Sequence, residues 1–344
     1  MTDYDKSEFG ICFFSFPIFP ENQIPALCSQ QAPPPLSTPD PETENAINMI
    51  INRNNLSNVF TAFKTTFNKA FDGTTSNYLD IAMKVSSATR EETYAWLGAW
   101  PGIREWVRDR VIRSLQTQSY TIKNVLFEST VSVPANDIAD DRHGIFSPMF
   151  AEMGRTAKMH PDEVVFQLLK SGFSTNGYDD QYFFDTDHPV RKKDGSTVVV
   201  SNVQTGEGAA WFLFDTSRAV KPLLWQEREP YTFAAMDQPE HENVFMHREY
   251  LYGVTARANA GFGLWQLAFA SKAELTPANY AAARSAMMAF KDDEEKPLGI
   301  APNLLVVPPS LEQSARTVLF ADKIEGTSNI WKDTAKLIVT PYLG

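Results

Sequence analysis

At 344 residues the chain is long enough for two compact domains, or for one elongated protein with several lobes. Its 43% hydrophobic and 12% aromatic content supplies a sizeable core, while a net charge of −11 excludes a sequence-independent DNA binder, which needs a basic surface to displace counterions. Both cysteines, Cys12 and Cys28, lie near the start, so the rest carries no disulfide or thiolate metal site, and no apolar run is long enough to span a membrane.

Residues 1–48 differ in character from the rest of the chain. The apolar segment Phe9–Phe19 contains Pro17 and comes after a net-acidic stretch, so it is not read as a signal peptide. Gln30–Glu44 is proline-rich and acidic, and buries too little apolar surface to offset its ordering entropy. Three readings stay open for this segment: a start placed too far upstream, a removable extension, or a disordered arm.

Val59, Phe60, Phe63, Phe67 and Phe71 recur at spacings of three and four, which predicts a helix from Leu56 to Phe71. Asp80–Ser87 reads as a strand. An excursion then begins at Thr89 and passes through a tryptophan-dense knot holding Tyr94, Trp96, Trp100 and Trp106. Ile103, Val107, Val111 and Leu115 come next on one helical stripe, with Arg104, Arg108 and Arg113 turned elsewhere. The chain returns through an alternating ribbon, Tyr120–Val133, stopped by Pro134. A strand out, a decorated tip and a strand back describe a long projecting hairpin.

Two helical pieces are expected next, Phe146–Lys158 and a second opened by Pro161 and ended by Gly172; if coaxial they form one long rod with a bend near Pro161. Trp211–Phe214 and Pro222–Trp225 read as strands. Asn243–Ala256 and Gly261–Ala270 read as a long pair turning at Ala258–Gly261. The final section alternates: a helix from Thr276-Pro277 to Phe290, a strand at Leu304–Val307, a capping-box helix from Ser310 with Gln313, and a strand at Leu337–Val339. No internal repeat is found.

Candidate chemistry is sparse. Asp179, Asp180, Asp185, Asp187 and His188 place carboxylates beside an imidazole and could hold a cation. They lack HExxH spacing and the glycine and terminal glutamate of an EF-hand, so a structural turn at Asp187-His188-Pro189 is the simpler reading. Ser174, in the loop Gly172–Gly177, is not in a GxSxG elbow, and no Walker A or GxGxxG motif is present. Glu91, Glu92, Glu105 and Asp109, beside four arginines, read as ion-pair partners. The tryptophan knot admits three readings: monomer core, base stacking, or protein–protein anchor. Its place on a protrusion favours an intersubunit contact made by Trp96, Trp100, Trp106, Arg104 and Arg108.

Taken together, the knot at Tyr94–Trp106, the ribbon Tyr120–Val133, the helical stretch after it and the run Tyr182–Pro189 resemble the major head subunit of Mu-like phages and prophages, the gpT family. The likeness extends in order from about Met49 to the last residue. The resemblance implies an α+β capsid fold of the HK97 type. Residues 49–78 would be the N-arm and 79–133 the extended E-loop. Residues 134–275 would be the peripheral domain, with its long helix and long strands, and 276–344 the axial domain. It implies a shell protein and not an enzyme, with no cofactor, forming hexamers and pentamers of an icosahedral head around DNA without sequence-specific binding. Scaffold, head protease and portal proteins are the implied partners, the virion is the implied location, and assembly takes place in the bacterial cytoplasm. Some shells of this fold crosslink lysine to asparagine; Lys123 and Asn124 lie in the hairpin, but gpT-like proteins are not expected to share that chemistry. Two alternatives differ in class: a metal-dependent hydrolase using the Asp179–His188 cluster, and an encapsulin-like host compartment.

Overall fold

The computed structural model describes residues 53–97, 120–140, 142–192, 196–292 and 295–344. In chain order, helix α1 (Arg53–Gly73) and the short α2 (Tyr78–Ile81) lead into strands β1 (Ala82–Ser86) and β2 (Glu91–Thr93). Beyond residue 119 come β3 (Thr121–Lys123), β4 (Val125–Pro134), α3 (Ala135–Ala139) and the long helix α4 (Ser147–Ser171). The chain continues through β5 (His188–Arg191), β6 (Thr197–Val200), β7 (Val203–Gln204), β8 (Trp211–Phe214) and β9 (Leu223–Met236). Helix α5 (Glu242–His247) precedes β10 (Glu249–Phe262) and β11 (Ala268–Ser271). The last section holds α6 (Pro277–Met288), β12 (Leu304–Val307), α7 (Glu312–Phe320), β13 (Lys323–Ile324), β14 (Thr327–Ser328) and β15 (Lys336–Val339).

Two sheets organise the body. The first has the order β1-β9-β10-β4, with β1 parallel to β9 and the other neighbours antiparallel. The second, β15-β12-β8-β11-β7, is mixed. Its strands β8, β11 and β12 are buried at every position, the pattern of strands covered on both faces. This sheet joins strands from before and after residue 276: β8 pairs with the C-terminal β12, β12 pairs with β15, and β11 links β8 to β7.

Helix α1 forms where its phenylalanine spacing predicts, and Leu56, Val59, Phe63 and Phe67 are buried. Its apolar face lies on this chain's own α4 and first sheet. Phe63 stacks on Phe150 at 4.2 Å and meets Tyr252 edge-on at 5.1 Å. The helices approach closely because position 154 is glycine: a Cβ there would lie 2.4 Å from the carbonyl oxygen of Phe67.

One open alternative is settled and two expectations are corrected. The two helical pieces are one helix, α4, continuous through Pro161. Proline removes the hydrogen bond to the Ala157 carbonyl, but Ala157 and Val165 on either side are both packed in core clusters, which holds the axis together. The expected turn at Ala258–Gly261 does not exist, and Glu242–His247 is helical; β10 runs straight through and pairs with β9, while β11 belongs to the other sheet. The small residues there serve a close crossing instead, since a Cβ on Gly261 would sit 2.1 Å from Ile122 Cδ1. Finally, Ser310 does not cap α7: Leu311 N–H bonds to the Pro308 carbonyl, a tightened turn precedes the helix, and no side chain caps it. Thr276 does cap α6, its Oγ1 accepting from Asn279 N–H at 3.2 Å, with Pro277 in the first turn.

Asp162, buried in α4, accepts backbone N–H bonds from Asn77 and Tyr78 at 2.7–3.0 Å and so caps α2 from a distance. Burial nevertheless pushes its carboxyl above the usual range.

Gly154→Ala is expected to destabilise the unassembled subunit by about 1–3 kcal/mol, the usual cost of overpacking. Denaturant unfolding checks this, and α1 is the element that must shift.

Candidate functional site: the hairpin base and the buried histidine

Strands β2 and β3, which flank residues 98–119 in the chain, are fastened to the first sheet. They pair through Glu91↔Lys123, Glu92↔Ile122 and Thr93↔Thr121, and Tyr94 N–H donates to the Tyr120 carbonyl at 2.8 Å. A buried polar network sits beneath them. Tyr94 Oη donates to Gln226 Oε1 at 2.7 Å, and Gln226 Nε2 donates to the Ile122 carbonyl and to Asn124 Oδ1. Asn124 Nδ2 in turn donates to Ser87 Oγ and the Thr89 carbonyl. Tyr120 Oη accepts from Phe262 N–H at 2.8 Å. Burial pushes the Tyr94 hydroxyl up to about 12. Asn124 thus spends its amide inside the subunit.

The outer turn of this base depends on Glu92. Its Oε1 accepts from the backbone N–H groups of Thr89 and Ala88 and from the hydroxyls of Thr89 and Ser87. These bonds, led by those from the backbone, hold its carboxyl down to about 2. Glu92, read from sequence as an ion-pair partner, is a turn-forming acceptor instead.

Of the five expected contact residues, Trp96 is half-buried, packs against this chain's own main core and lies edge-on to Tyr94 at 6.2 Å. Trp100, Arg104, Trp106 and Arg108 lie outside the described residues.

The acidic segment is a structural node. His188 is fully buried, its ring stacked on Trp265 at 4.1 Å and 11°. Nδ1 lies 2.7 Å from Asp179 Oδ2 and Nε2 lies 3.2 Å from Asn202 Oδ1. Asn202 also accepts from Asp185 N–H and donates to the Phe183 carbonyl, tying the loop to β5. The expected turn at Asp187-His188-Pro189 is therefore the entry to a strand, because stacking and two hydrogen bonds fix the imidazole inward. Asp180 takes a left-handed backbone conformation, and the exposed Asp187 carboxyl is raised by its hydrogen bond to Asp185 and by that neighbour's charge. Among the described residues, no group of three or more His, Cys, Asp or Glu side chains converges to hold a metal ion. The residues that periodicity could not find are Asn202, Gln226 and Trp265: each is distant in sequence from the group it completes.

Two outcomes test these assignments. Because the folded carboxyl of Glu92 titrates near 2 against an ordinary 4.5, its contribution is complete above about pH 4.5 and is lost as pH falls toward 2. Amide exchange at Ala88 and Thr89 should stay slow at pH 3.5, and Glu92→Ala should abolish that protection at any pH. His188→Ala leaves Asp179 buried without its partner and should cost about 3–5 kcal/mol in urea unfolding of the unassembled subunit.

Comparison with known proteins converges on one lineage. The family model for the Mu-like prophage major head subunit gpT matches residues 56–343. The major capsid protein of Escherichia phage Mu is 40% identical over 305 residues, spanning 86% of this chain and 100% of the relative. The Mu-like prophage FluMu major head subunit of Haemophilus influenzae is 40% identical over 297 residues, covering 83% and 96%. Among solved structures, the procapsid of bacteriophage JBD30 superimposes with a TM-score of 0.78 at 43% identity, over 85% of this chain and 100% of that one. The JBD30 capsid gives 0.68 at 33% identity, over 78% and 90%. The α+β architecture described above is accordingly the HK97-type capsid fold, and the chain belongs to the family of Mu-like prophage major head subunits, gpT.

Proposed function

We propose that this major head subunit closes with its copies, as hexamers and pentamers, into an icosahedral shell that encloses phage DNA. The observation that carries the reading is the match to the JBD30 procapsid subunit along 85% of this chain at a TM-score of 0.78. Its mechanism is binding: many modest contacts per subunit become collectively strong by multivalency. Assembly takes place in the host cytoplasm, with a scaffold, a head protease and a portal as partners. A net charge of −11 suits an inner wall that must not adsorb the packaged polymer.

Within that reading the hairpin reaches over a neighbouring subunit, with Trp100 and Trp106 as aromatic anchors and Arg104 and Arg108 beside them. Tryptophan and arginine are the residue types that dominate interface energetics. The satisfied network under Tyr94 and Asn124 supports this, because a lever transmits force only from a fixed root. Trp96, packed at that root, serves the hairpin's own attachment.

Trp100→Ala decides between anchor and core. Loss of an anchor costs about 2 kcal/mol or more at each interface. The expected outcome is soluble, cooperatively melting subunits or capsomers that form no closed particles by negative-stain microscopy and size-exclusion chromatography. Insoluble or molten protein would assign Trp100 to the core, and normal heads would remove it from the interface.

A further inference from the structure

Strand β4 is the long open edge of the first sheet. It pairs with β10 in unbroken register over ten residues, from Val125↔Ala258 to Pro134↔Glu249, and no described strand pairs with its other side. The other edges are short: β1 has five residues, β15 four and β7 two. The phase of the ladder is fixed at its end, where Ala135 N–H donates to the Arg248 carbonyl at 2.8 Å. Counting back, odd-numbered residues exchange bonds with β10, and Leu126, Glu128, Thr130 and Ser132 direct their N–H and C=O groups outward.

Natural proteins guard such an edge with lysine, an internal proline, a bulge or brevity. β4 has none of these. Its sequence is Val-Leu-Phe-Glu-Ser-Thr-Val-Ser-Val-Pro, with proline only at the end and Glu128 as its one charge. Leu126 is 66% exposed and Val125 43% exposed. The edge continues directly from β3, so in the chain it follows the segment assigned above to the neighbouring subunit. A second copy also fits it by charge. Two β4 strands laid antiparallel about Ser129 set Glu128 against Thr130 and Leu126 against Ser132, so like charges do not meet.

From this geometry we infer that β4 is an assembly edge, extended in the shell by a strand from a second copy of this chain. The inference rests on the shell reading above and assigns it a backbone contact that the tryptophans do not supply. Side-chain anchors select the neighbour, and the open ladder fixes its register.

Residue-resolved amide hydrogen exchange on the wild-type chain, unassembled and in purified particles, tests it. The amides of Leu126, Glu128, Thr130 and Ser132 should exchange at least about tenfold more slowly in particles, while those of Phe127, Ser129 and Val131 are slow in both states. A companion variant, Thr130→Pro, removes one outward N–H and should yield folded subunits with particle yield cut about tenfold, since an edge strand accepts proline where its N–H faces outward. Particles with unchanged exchange at these four amides, or with wild-type yield from Thr130→Pro, overturn the inference. Protection that arises only after a different protein is added overturns its assignment to a second copy. A wild-type chain that forms no particles overturns the shell reading itself, a result distinguishable from intact particles with an open edge.

Discussion

Helix α4 packs its two halves into two different hydrophobic cores, and the rest of the body is arranged around that division. Phe150, Met153 and Ala157 share one cluster with α1 and with Phe233, Tyr250 and Tyr252. Val165, Phe166 and Leu169 belong to the other, with Phe183, Trp225, Phe262 and the strands of the second sheet. Strands β9 and β10 cross the same divide, β9 from Trp225 to Phe233 and β10 from Tyr252 to Phe262. Each crossing element is irregular there. α4 carries Pro161, β9 carries Pro230, and the β9–β10 register shifts between Thr255 and Ala258. His160 Nδ1 and Tyr231 Oη, 2.6 Å apart, join helix to sheet at this level. Packing and not local propensity keeps α4 continuous, since an interior proline costs about 3 kcal/mol and only burial on both sides can offset it.

The hairpin root illustrates a second constraint. Gln226 lies on β9 immediately after the buried run Leu223–Trp225, where an apolar residue would pack more simply. Its amide instead meets Tyr94, Ile122 and Asn124 at once. A net hydrogen bond is worth about 1 kcal/mol, whereas a buried polar group left unpaired costs about 1–3 kcal/mol. The network therefore adds little stability when formed but strongly penalises any slip of β2 and β3 relative to β9. It fixes the placement of β2 and β3 on the body.

How much of the fold was legible in the sequence depended on range. Helix α1, helix α6 and strands β8 and β12 were readable because their signals are local: phenylalanine spacing, a Thr-Pro start, short apolar runs. The fold class was readable from the ordered resemblance of many segments. The pairing of β10 with β9 was not, because Asn and Gly near residue 260 give the same local signal whether they turn a chain or let Ile122 pass close above it. Pro161 left two pieces or one rod open, because a local breaker does not say whether tertiary burial outweighs it. At the candidate site, Asp179 and His188 were visible as a cluster, but their partners Asn202 and Trp265 arrive from other elements, and those partners make the cluster a structural node. The tryptophan knot was visible by composition. Its division at Trp96, which packs on this chain's core, depends on Tyr94 and so on a contact across 132 residues to Gln226.

The charge of the chain and the chemistry of its edge work in opposite directions, and a shell needs both. At −11 per subunit, copies repel one another over roughly the Debye length, about 8 Å at physiological salt. That repulsion is indifferent to orientation, so it weakens every accidental encounter alike. An open ladder such as β4 attracts only when a partner strand lies in register within hydrogen-bonding distance, well inside the screened range. The one carboxylate on β4 does not oppose itself in an antiparallel pairing, so the short-range term escapes the penalty that governs the rest of the surface. Repulsion that is long in range and weak, set against attraction that is short and directional, leaves mismatched contacts free to dissolve while correct ones accumulate. Increasing salt should therefore raise the rate of all contacts but improve the correct ones least, because those already depend on geometry more than on charge.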